Sequence, residues 1–142
     1  MDQLHLIEAL KRKLAEIHVK EYASDLHKIT AALDEAKKKI TSHAEHQTRS
    51  SFHRKREPIG AWQVVVNEIY HLITEINEEE HSLGHEANDK LGFNSIISKR
   101  AAVFAKKVDV RIILNEMLVK IFKVMPGLEN TMHKNLGLKH HL

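Results

Sequence analysis

Apolar residues recur at alternating spacings of three and four along the N-terminal part of the chain. They fall at Ile7, Leu10, Leu14 and Ile17, then at Val19, Tyr22, Leu26, Ile29, Leu33, Ala36 and Ile40. That rhythm is the apolar stripe of an amphipathic helix. No Gly or Pro precedes Pro58, so composition forces no break before it. The pattern predicts a long first helix over about 3–46, with Asp2 as its N-cap. Between Ile17 and Val19 the register slips. Such a slip either changes the supercoil locally or marks a kink, expected near Ser24-Asp25.

Residues 47–58 lose the period and read as a basic loop, and Pro58 suits the first turn of a second helix. Its stripe is Trp62, Val65/Val66, Ile69, Leu72/Ile73, Ile76 and Leu83, with Gly84 expected to end it. A polar connection to Phe93 follows. Asn94 or Ser95 can then cap a third helix reaching Met125, where Pro126-Gly127 stops it. A short last helix over 128–136 precedes Gly137 and a frayed tail. The fold class predicted is all-α: an antiparallel bundle of three main helices plus a short C-terminal helix, in one domain over 1–142. Its core is expected to contain Leu26, Ile29, Leu33, Trp62, Ile69, Ile73, Ile76, Leu114, Met117 and Ile121.

Composition narrows the classes. With 142 residues the chain can bury one real core, and its 5 Gly and 2 Pro are too few for the turns of an all-β protein. It has no Cys, which excludes disulfides, thiolate-bound metal and a thiol nucleophile. The most apolar stretch, 108–125, carries Asp109, Arg111, Glu116, Lys120 and Lys123, so no bilayer span is expected. Residues 1–14 contain no signal-peptide core, and the expected location is cytoplasmic. Formal charge is segregated: residues 62–98 carry a net −6 and residues 99–142 a net +6. An acidic second helix beside a basic third one favours their antiparallel packing.

Twelve histidines raise the question of metal. The sharpest constellation is 78–85, with a Glu-x-x-His spacing (Glu78, His81) and a His-x-x-x-His spacing (His81, His85). Ferritin-like di-iron bundles use Glu-x-x-His twice, with every ligand pointing inward. On a wheel of about 100° per residue, however, His71, Glu75 and Glu78 lie opposite the Trp62 stripe, facing water. No second Glu-x-x-His occurs on another helix. A simpler zinc or nickel site would need His81 and His85 to meet His43, His46 or His53, which antiparallel neighbours keep apart. Solvated histidines at helix ends are the plainer account, and neither a metal site nor a cofactor is assigned.

Two further classes remain. The basic segment with Arg49, Arg54, Lys55 and Arg56 surrounds Phe52 and His53, and Arg100, Lys107 and Arg111 share one face of the third helix. Together they could contact nucleic-acid phosphates and stack a base. No helix-turn-helix, zinc finger or ribonucleoprotein motif accompanies them. Catalysis is not expected: there is no phosphate loop, dinucleotide fingerprint or nucleophile elbow.

The third helix is apolar over more than half its circumference between Val108 and Met125, more than a core stripe about 100° wide requires. A first helix of about 44 residues would also span roughly 66 Å and overhang a second of roughly 36 Å. Surplus apolar surface of this kind invites association. The reading placed first is therefore a non-catalytic protein-binding bundle, of adaptor, chaperone or inhibitor type, with a protein partner and as a homodimer. Nucleic-acid binding stands second and a histidine-ligated metal protein third.

Overall fold

The computed structural model describes the backbone of residues 2–49, 59–89 and 94–136, and the side chains of residues 2–42, 59–82 and 104–132. Among these residues the chain forms five α-helices: α1 (Gln3–Ala15), α2 (Ala23–Arg49), α3 (Ile59–Asp89), α4 (Asn94–Val124) and α5 (Pro126–Leu136). One 3-10 turn, Lys20–Tyr22, separates α1 from α2. The fold is the all-α bundle that the apolar periodicity predicts.

The expected long first helix is two helices. Asp2 does cap α1, its carboxylate accepting the His5 backbone N–H at 2.8 Å, and that bond holds the Asp2 carboxyl below the usual range. At the other end the Glu16 N–H turns back onto the carbonyls of Lys13 and Leu14, and the Ile17 N–H onto Leu14. Val19 is then fully extended, at φ −116° and ψ 111°. The break lies in the register slip itself, not at Ser24-Asp25, which already belongs to α2. The reason is angular. A step of two residues rotates a helix face by about 200°, so a straight helix would bury one half of the stripe and expose the other. Folding back lets both halves face one core. Two β-branched residues at the corner, Ile17 and Val19, add a small preference against helix.

The resulting hairpin is antiparallel. Lys11 pairs with Asp34 at 2.7 Å and Glu8 with Lys37 at 2.9 Å, so positions rise along α1 as they fall along α2. Helix α2 packs on α3, α3 on α4, and α4 back on α1 through an ion pair of Lys13 with Glu116, closing a ring of four helices. Helix α5 lies against α3 and α4. Pro126 opens α5, where its missing N–H costs nothing, while the Met125 N–H still bonds to Ile121. Helix α3 does not stop at Gly84 but continues to Asp89. A mid-helix Gly costs only about 1 kcal/mol, which the remaining turns offset.

One core holds the helices together, with Leu10, Ile29, Leu33, Trp62, Ile69, Ile76, Leu114, Met117 and Ile121 all buried. The ten residues expected there are all in or against it; Leu26 alone is only half-buried, at the edge. The overhang expected of a continuous first helix therefore does not arise. Its stripe, from Leu6 and Ile7 through Leu33 and Ala36, is covered by the chain itself.

Tyr70 is an imperfection in this packing. Its ring is half-buried on α3, and its buried hydroxyl has no hydrogen-bond partner among the described residues. Burial, with the nearby Glu129 charge, pushes its pKa up to about 12. An unpaired buried hydroxyl contributes nothing that a C–H would not. Tyr70→Phe should therefore leave stability unchanged or raise it by up to ~1 kcal/mol in urea unfolding. A loss beyond ~1 kcal/mol would reveal a partner for the hydroxyl.

Candidate functional site

Polar side chains converge where α3 and α4 meet the Lys20–Tyr22 turn at the α1–α2 corner. Tyr22, buried by the turn that precedes α2, donates its hydroxyl to Glu79 Oε2 at 2.9 Å. Lys107 of α4 donates to the same oxygen at 2.9 Å, and its Nζ stands 5.5 Å from the centre of the Tyr22 ring. Burial and the Glu79 carboxylate together push the Tyr22 hydroxyl well above the usual tyrosine pKa. One turn along, Arg111 reaches both Asn77 and Glu80. The basic third helix thus pairs with the acidic second one, as the charge segregation predicts.

Beside this network, Asp25 of α2 faces His71 and Glu75 of α3. His71 Nε2 lies 3.1 Å from Glu75 Oε1, and one ligand atom from each of the three residues falls within 4.8 Å of the others. Burial, then the charge of Asp25 and the hydrogen bond shared with it, raise the Glu75 carboxyl above its ordinary pKa. The wheel places His71 and Glu75 on the face away from the core. His71 is indeed exposed, but Glu75 is half-buried because α2 covers that flank. Nothing in its own helix marks Asp25 for this role; only the α2–α3 register brings it there.

The second feature is the outer face of α4. Its inner face buries Val110, Leu114, Met117, Leu118, Ile121 and Phe122. On the opposite side Ile112 is 50% exposed and Val119 65% exposed, seven residues apart and therefore aligned. Exposed Ala105 and half-buried Val108 extend the line. The apolar surplus read from the sequence is thus divided: most is buried within the chain, and a narrow stripe is left outside.

Of the nucleic-acid candidates, Lys107 and Arg111 are brought together, but their charges are engaged by Glu79 and Glu80 on α3. Arg54, Lys55 and Arg56 lie outside the described residues, as do the side chains of Arg49 and Arg100. His81 is exposed near the far end of α3, while the side chains of His43, His46, His53 and His85 are outside the description. No described helix is long and apolar enough to cross a membrane. No family model matches the chain, and no curated protein or solved structure matches it either.

Proposed function

We propose that this is a non-catalytic protein-binding bundle that docks through the outer face of α4, with a second copy of itself as the first occupant. The supporting observation is the pair Ile112 and Val119, exposed and aligned on a side of α4 that the described residues leave uncovered. An antiparallel α4 from a second copy, centred near Asn115 and Glu116, sets Ile112 of each copy beside Val119 of the other. The same register brings Asp109 near Lys123, and none of Asp109, Lys120 and Lys123 has an ion-pair partner among the described residues. The seam is two-fold symmetric, so each Ile112–Val119 contact occurs twice, and the Glu116 of each copy near the axis keeps its own Lys13 partner.

Magnitude sets the expected strength. Burying four half-exposed aliphatic side chains returns roughly 3–6 kcal/mol. That reaches only the lower end of the ~4–15 kcal/mol cost of association. The dimer is therefore weak and concentration-dependent. Sedimentation equilibrium from micromolar to near-millimolar protein should show a mass rising from one chain toward two. Val119→Glu, which buries a charge in the seam, should hold the mass at one chain while leaving the circular dichroism unchanged. A single-chain mass at the highest concentration, or a Val119→Glu variant that dimerises equally well, rejects the reading.

A further inference from the structure

We propose that Asp25, His71 and Glu75 form a divalent-cation site that clasps α2 to α3 and takes a borderline metal of the zinc class. The three side chains come from two helices and converge on one point, with ligand atoms within 4.8 Å of one another. His71 and Glu75 are four residues apart and so share one face of α3; their ligand atoms, 3.1 Å apart, are already at the separation of neighbouring ligands on one ion. A small side-chain rotation of Asp25 completes a triangular set of one imidazole nitrogen and two carboxylate oxygens. Such a set suits zinc, with water filling the open position, better than it suits magnesium, which prefers oxygen alone.

A second observation concerns charge. Elsewhere the described carboxylates that bridge helices each meet a lysine or arginine: Glu8 with Lys37, Asp34 with Lys11, Glu116 with Lys13, Glu79 with Lys107 and Glu80 with Arg111. Asp25 and Glu75 instead lie against each other, and among the described residues they pair with no lysine or arginine, only the His71 imidazole standing beside them. The α2–α3 interface therefore holds two acids in contact without a fixed cation between them. A bound divalent ion supplies that charge and joins the helices beside the corner where the chain reverses.

Histidines elsewhere in the chain also take metals, so the test must isolate this site. In a reference variant, His43, His46, His53, His81, His85, His140 and His141 are replaced by Gln. Metal-stripped protein is then titrated with zinc by calorimetry and with cobalt by visible absorption. One zinc should bind per chain with micromolar affinity, raise the thermal midpoint, and exceed magnesium by orders of magnitude. Asp25→Asn and His71→Ala should each weaken zinc by at least about tenfold, a typical penalty at a metal centre. Both positions are at least partly exposed, so both variants should fold, and metal-free Asp25→Asn should be no less stable than the reference. Zinc affinity unchanged by His71→Ala, or no uptake below millimolar zinc, overturns the proposal. Retained folding with lost binding in both variants supports it.

Discussion

Replacing Leu10 with alanine should lower the folding free energy by about 2–5 kcal/mol, the range for emptying a fully buried leucine site. Leu10 has no exposed surface in the fold, because α1 turns back at Glu16–Val19 and lays its stripe on the core. Had the first helix continued straight, Leu10 would sit on an overhang, and its truncation would cost under about 0.5 kcal/mol. The two architectures thus differ several-fold at one position. Urea unfolding of Leu10→Ala, with Leu4→Ala as the exposed control on the same helix, separates them. The control should change stability by no more than ~0.5 kcal/mol. Equal and small effects at both positions would mean that α1 does not pack on the bundle.

The same residues show what was legible beforehand and what was not. Helix content, the core list and the pairing of an acidic helix with a basic one all follow from local periodicity and charge. Each is a property of single segments or of their neighbours. The slip between Ile17 and Val19 was visible too, but its consequence was not. Whether a face that rotates by about 200° bends a supercoil or reverses the chain depends on whether a core is available to receive both halves, which no local window contains. Gly84 illustrates the converse: a residue that often ends helices is carried inside α3, since its cost within a helix is only about 1 kcal/mol. The site on α2 and α3 lay still further out of reach. His71 and Glu75 could be placed on one face, yet their partner Asp25 is 46 and 50 residues away from them and is specified only by interhelical register. The two faces of α4 were legible as an excess but not as a division, because the wheel does not say how much of a helix its neighbours cover.

Trp62→Ala should be among the costliest single substitutions, at about 3–5 kcal/mol. The indole is fully buried in the first turns of α3, and its N–H donates to Gln3 Oε1 at 3.0 Å. That bond links the start of α1 to the start of α3, two helices that are not consecutive around the ring, so the side chain spans the bundle interior rather than one interface. Two effects add in the alanine variant: the lost apolar area and the cavity left behind, which the surrounding Leu and Ile side chains fill only in part. The hydrogen bond can be separated from the packing. Gln3→Ala leaves the indole in place but removes its acceptor, and should cost ~1–3 kcal/mol for an unsatisfied buried donor. The chain has one tryptophan, so its fluorescence reports this site alone. The native emission should be blue-shifted and should move to the red in the same transition that melts the helices by circular dichroism. If the fluorescence change precedes the loss of helix, α1 opens before the rest and the shared core does not act as one cooperative unit. If Trp62→Ala costs less than ~1 kcal/mol, the indole is not where the bundle closes.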